Sequence, residues 1–113
     1  MGEFELIRQF FAAAPCAQVG EAVALGIGDD CALLELPAGE QLAISTDTLV
    51  AGVHFADPCD PFLLGQRSLA VAVSDLAAMG ADPIAFTLAL TTPTVDADWL
   101  QRYAQGLNTM AQS

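Results

Sequence analysis

Apolar positions along this chain repeat with two different periods, and the change from one to the other divides it into elements. Phe4, Ile7, Phe10 and Phe11, with Leu6 and Ala13 beside them, fall at helical spacing. Glu3 and Glu5 occupy the first turn, where the helix dipole favours acids, so the pattern predicts a helix over residues 3–14 that stops at Pro15. Residues 16–21 read as a polar loop. Residues 22–27 are a short apolar run of strand type that empties into Gly26-Ile27-Gly28-Asp29-Asp30. Residues 31–36 resume as a strand, Pro37-Ala38-Gly39-Glu40 has the composition of a tight turn, and residues 41–50 return as a second strand. Antiparallel pairing about that turn predicts a hairpin with Cys31 roughly opposite Thr46, which brings Asp29 and Asp30 near the stretch from Ser45 to Thr48.

Residues 51–60 form a loop that holds the only histidine, His54. Asp60 followed by Pro61 is a helix start signal, an N-cap acceptor before a residue with no N–H to satisfy. The helix so opened runs to Met79, with Gly80 as its left-handed end and Pro83 soon after. Being apolar nearly all round, it is expected to be buried. Its polar positions Arg67, Ser68, Ser74 and Asp75 fall on one narrow stripe. Residues 84–90 read as another strand. Asp96 and Asp98 open a third helix whose apolar stripe is Trp99, Leu100, Tyr103, Leu107 and Met110. The order is helix, three strands, helix, strand, helix. It predicts an α/β (α+β) fold, a mixed four-stranded sheet flanked by helices, of the kind that forms the first half of a larger unit.

Composition narrows what such a domain can do. A length of 113 residues suits one domain with a real core, not two. Apolar residues make up 54% of it and mean hydropathy is +0.49, so some apolar surface is expected to meet another chain or another domain. The formal charge is −11, with three arginines and no lysine. That argues against nucleic acid, whose phosphates are held by basic side chains, and it rules out a P-loop, which needs a lysine beside its glycines. A phosphate-handling role here would depend on metal ions or backbone N–H groups. Cys16, Cys31 and Cys59 are far apart with no C-x-x-C pair, which predicts reduced, buried thiols in a cytoplasmic protein rather than a disulfide scaffold or zinc site. The opening residues do not resemble a signal peptide. The apolar run from Phe62 to Met79 contains Arg67, Ser68, Ser74 and Asp75, which argues against a membrane span.

Three acidic positions resist a simple role. Asp47 stands in an apolar strand among Ser45, Thr46 and Thr48, and needs either a hydrogen-bond network or a cation. Asp75 lies near the C-terminal end of a helix, where the dipole opposes a negative charge; a metal ion would reverse that cost, and pairing with Arg67 is the alternative. Asp30 follows a Gly-x-Gly turn, whereas Asp29 is either a turn residue or a ligand. His54 reads as a loop or interface histidine or as a ligand. Carboxylates and hydroxyls with at most one histidine select hard cations such as Mg2+. Gathered carboxylates holding Mg2+ are a common arrangement for phosphoryl transfer.

The motifs GIGDDCA (26–32), STDTLV (45–50) with GVHF (52–55), and SDLAAMGA (74–81), together with Phe4-Glu-Leu-Ile, resemble the thiamine-monophosphate kinase family in order and spacing. The resemblance implies an ATP-dependent kinase that converts thiamine monophosphate to thiamine diphosphate, within the superfamily of aminoimidazole ribonucleotide synthetase. It implies a homodimer in which the sheets of two N-terminal domains join into a barrel, with ATP and several Mg2+ ions in a groove lined by these motifs. Carried over by position, Asp30, Ser45, Thr46, Asp47 and Asp75 correspond to Mg2+ ligands and His54 to a contact with the thiamine phosphate. No side chain is assigned as a general base. Ala51 and Ala72 depart from the Glu and Asn common in the family. Family enzymes carry a second domain and a further Gly-Asp motif, so residues 1–113 are expected to be an N-terminal ATP/Mg-binding and dimerisation domain, inactive by itself. The rival readings are another synthetase of the superfamily, such as selenophosphate synthetase, and a noncatalytic acidic cation-binding dimerisation module.

Overall fold

The computed structural model describes residues 2–20, 22–54 and 57–113. Its element order is α1 (Glu3–Leu6), a π-helical continuation (Ile7–Ala12), a 3-10 turn (Pro15–Ala17), β1 (Val23–Leu25), β2 (Leu33–Leu34), α2 (Pro61–Ala78) and α3 (Ala97–Ala111). The expected first helix is therefore present over nearly its full length, but it widens to π geometry after one turn. The 3-10 turn that follows is pinned to α3, where the Cys16 N–H donates to Asn108 Oδ1 at 2.9 Å.

Both long helices begin as their sequences dictate. Asp60 caps α2 by accepting from the Phe62 N–H at 2.9 Å, and Asp96 caps α3 by accepting from the Trp99 N–H at 3.2 Å. At the far end of α2 the Gly80 N–H donates to the Ala77 carbonyl and the Ala81 N–H to the Leu76 carbonyl, both at 3.0 Å. This is a Schellman closure, which needs the left-handed backbone that Gly80 adopts at φ +70°.

The core is the interface of these two helices. Leu64 and Leu69 of α2 pack with Tyr103 and Leu107 of α3, while Phe11, Val73, Trp99 and Met110 fill in around them. Leu100 is the most enclosed side chain, at 1% exposed. The helices approach so closely because a glycine stands at the crossing point on each. A Cβ on Gly65 would overlap the Tyr103 carbonyl oxygen and lie 2.9 Å from the Leu107 nitrogen. One on Gly106 would overlap the Phe62 carbonyl oxygen and lie 3.0 Å from the carbon bonded to it. Glycine weakens a helix interior by about 1 kcal/mol, and here the backbone contact it permits offsets that cost. Within the interface the Tyr103 hydroxyl donates to Ser68 Oγ at 3.1 Å, and Ser68 in turn donates to the Leu64 carbonyl at 2.8 Å. Burial raises the Tyr103 phenol above its ordinary range, partly opposed by the bond to Ser68. Trp99 and Tyr103 stack with ring centroids 5.1 Å apart.

Two expectations are corrected. Although α2 is apolar nearly all round, it buries one face only: Pro61, Leu64, Gly65 and Leu69 are buried, whereas Leu63 is 59% and Met79 79% exposed. Among the described elements only α3 packs extensively against it, which leaves much of its apolar circumference exposed. The cysteines are free, as expected, but Cys31 is exposed and Cys16 and Cys59 only half-buried.

The strand segments differ more widely from the helices. Among the described residues the sheet has two strands, β1 and β2, antiparallel with Val23 opposite Leu34 and Leu25 opposite Leu33. The tight turn is present, its Glu40 N–H donating to the Pro37 carbonyl at 3.3 Å. Beyond it, residues 41–50 form no ladder with residues 31–36, and residues 84–90 carry no regular structure. A lone hairpin is marginal in water, and among the described residues these segments gain no further strand; Leu90 alone of their large apolar side chains packs against the helix-pair core. Ile44 is 79% exposed, and Leu36, Leu42, Val50, Ile84, Phe86 and Leu88 are exposed with it. Among the described residues no helix is long and apolar enough to cross a membrane.

Candidate metal centre

Helix α2 carries Asp75, which is exposed, one turn before its C-terminal closure. Against this point lies the stretch from Ser45 to Thr48. The half-buried Ser45 hydroxyl donates to Asp75 Oδ2 at 3.2 Å, joining residues 30 positions apart. Asp47, two residues on, also faces Asp75. Its carboxyl is pushed above the ordinary aspartate range by partial desolvation, by the negative charge of Asp75 and by a hydrogen bond shared with it.

Two carboxyls in mutual contact repel when both are ionised. Among the described residues no arginine offsets them: the ion pair is Arg102 with Asp60, at 3.1 Å on the surface. The expected alternative for Asp75, a bond to Arg67, is not what the side chain makes; its partners are Ser45 and Asp47. Two carboxylates and a hydroxyl converging without a basic residue form a hard-oxygen donor set, which suits a divalent cation of the Mg2+ type.

The other candidates lie elsewhere. Asp30 sits in an exposed turn where its N–H donates to Asp29 Oδ1 at 2.9 Å, so Asp29 acts as a turn residue. Thr46 is exposed. Among the described residues no three acids, histidines or cysteines gather closely enough to hold a metal ion, so Asp30 does not join Asp47 and Asp75 within this chain. His54 closes a turn, its Nδ1 accepting from the Val50 N–H at 2.8 Å. The sequence pattern did not single out the Gly65 and Gly106 crossing, although two glycines inside otherwise continuous helical patterns are a legible signal of close approach. A groove of about 320 Å³ lies between residues 9–15 and α3; none of the acids discussed above lines it.

The sequence profile described as AIR synthase related protein, N-terminal domain, matches residues 28–113. The chain is 55% identical over 106 residues to the thiamine-monophosphate kinase of Escherichia coli (strain K12), a match covering 94% of this chain and 32% of that protein. The protein of the same name from Haemophilus influenzae is 47% identical over 107 residues, covering 95% of this chain and 32% of its own length. That from Methanocaldococcus jannaschii is 35% identical over 78 residues, covering 69% and 24%. The chain thus spans about a third of the length of the curated relatives it matches.

Proposed function

This chain belongs to the AIR synthase related protein, N-terminal domain, family, and from that premise we propose that it is the metal- and nucleotide-binding part of a thiamine-monophosphate kinase. The observation that supports this reading most directly is the approach of Ser45, Asp47 and Asp75 to one another with no basic side chain to offset the acids. In a chain of net charge −11 a polyphosphate would otherwise be repelled.

In this reading Asp47, Asp75 and Ser45 hold Mg2+, joined by Asp30 and Thr46 in the assembled enzyme. The bound metal supplies charge compensation for the phosphates of ATP. Asp75 is the fixed point because α2 is capped at both ends and clamped against α3. Ser45 orients it by donating to Oδ2. His54 contacts the substrate's phosphate. An oxygen of the thiamine monophosphate phosphate forms a bond to the γ-phosphorus while the bond from that phosphorus to the bridging oxygen breaks, and ADP leaves with the electron pair. The nucleophile is already anionic, so the chain need supply no general base; positioning and electrostatics carry the rate. The apolar face of residues 33–53 and 84–88 meets a second copy in a cytoplasmic homodimer, where the four-stranded sheet is completed.

The test is to assay the complete gene product with thiamine monophosphate and Mg-ATP and to follow thiamine diphosphate. Formation of the diphosphate, lost on chelation of the metal, is the expected result. A protein that binds Mg2+ with no dependence on nucleotide and makes no diphosphate would instead be a cation-binding module.

A further inference from the structure

The turn that follows the acidic stretch is closed by a side chain. Val50 engages residues 53 and 54 through both of its backbone groups: its carbonyl accepts from the Val53 N–H at 3.1 Å and the His54 N–H at 2.9 Å, and its own N–H donates to His54 Nδ1 at 2.8 Å. Gly52 supplies the left-handed residue the reversal needs, at φ +77°. In a neutral imidazole one ring nitrogen donates and the other accepts. With Nδ1 accepting, the proton is on Nε2.

We propose that His54 is a positioning residue: its Nδ1 locks the Val50 turn and thereby the segment of residues 45–50 that carries Asp47, and its Nε2–H is left as a single donor. Such a group binds an oxygen acceptor, an anionic phosphate oxygen above all, and does not ligate a metal ion while it holds the turn. The tautomer and the lock stand apart from the proposed kinase activity; only the identity of the acceptor rests on it.

The experiment is done on the complete gene product labelled with 15N in histidine. At mildly alkaline pH, long-range correlation of the ring protons with the ring nitrogens should give the Nε2–H tautomer for His54. An Nδ1–H tautomer overturns the proposal. Amide exchange at Val50 provides the second reading. His54→Ala and His54→Gln, which place no acceptor at the Nδ1 position, should speed that exchange about tenfold, the scale of one hydrogen bond, while His54→Asn, whose Oδ1 replaces Nδ1, should stay within about twofold of the parent. Equal exchange in all four proteins, or an Asn variant as fast as the Ala variant, overturns the lock. Neither reading depends on turnover, so a protein inactive on thiamine monophosphate that still shows the lock and the tautomer would defeat the kinase assignment and leave this inference standing.

Discussion

The pair of helices α2 and α3 and the strand segments around them come from the same apolar composition and end in opposite conditions. The helices satisfy their own backbones, open on capping aspartates and bury Leu64, Leu69, Tyr103 and Leu107 between them. Residues 41–50 and 84–90 are as apolar but leave Ile44 and Phe86 exposed, because a strand's hydrogen bonds lie outside itself and wait on a neighbour. The candidate metal centre stands on the seam. Asp75 is carried by the self-sufficient helix, and Ser45 and Asp47 by the segment that is not. A metal bound there would therefore tie the loosely held half to the rigid one.

The sharpest break of that comparison is at the metal centre. Asp75→Asn in the complete gene product should lower formation of thiamine diphosphate by two or more orders of magnitude, the scale of losing a metal-held charge interaction. Turnover close to that of the parent would remove Asp75 from the site. Asp47→Asn should cost similar activity while having the opposite effect on the metal-free fold. A carboxyl raised by desolvation and by Asp75 in the folded state binds its proton more tightly there than in the unfolded chain. Stability is therefore lost as pH rises from the unfolded value through the raised folded one. In EDTA at neutral pH the Asn variant should melt slightly higher than the parent, and adding Mg2+ should raise the melting temperature of the parent only. A lower melting temperature for Asp47→Asn in EDTA would mean that the two acids do not repel.

Next in size is the helix crossing. Gly106→Ala and Gly65→Ala drive a methyl into the backbone of the facing helix, and each should cost about 1–3 kcal/mol in urea unfolding, or more where the helices cannot part. A neutral effect at either glycine would show that the helices are not in backbone contact. Tyr103→Phe leaves the Ser68 hydroxyl without its donor and should cost about 1 kcal/mol, with the loss visible in the same denaturation curves. The smallest effect belongs to the exposed strand face. Ile44→Asp should leave the stability of the helix pair unchanged to within about 0.5 kcal/mol, as for a surface position, yet move the protein to a smaller species in sedimentation if that face meets a second copy. A large loss of stability without change of assembly would place Ile44 in the core of its own chain instead.

Helix existence, helix starts and the identity of the acids were all legible in the amino-acid order, because each is written locally. A capping aspartate acts on the next turn, an apolar stripe repeats every three to four residues, and GIGDDCA, STDTLV and SDLAAMGA keep their order. The pairing of residues 31–36 with 41–50 was not legible in the same way. Alternation shows that a segment can be a strand, and only the available partners decide which one it joins; here Leu33 and Leu34 joined β1.

What the sequence alone determined is therefore the set of helices and the short list of oxygen-bearing side chains, because propensity, capping and periodicity act over a few residues. The tertiary structure alone decided that Ser45 and Asp47 meet Asp75 across 30 and 28 positions, that Asp30 stays apart from them, and that two glycines set the distance between α2 and α3. Those outcomes depend on how separate elements pack against one another. Side chains that meet only through packing leave no mark on the local pattern of the chain.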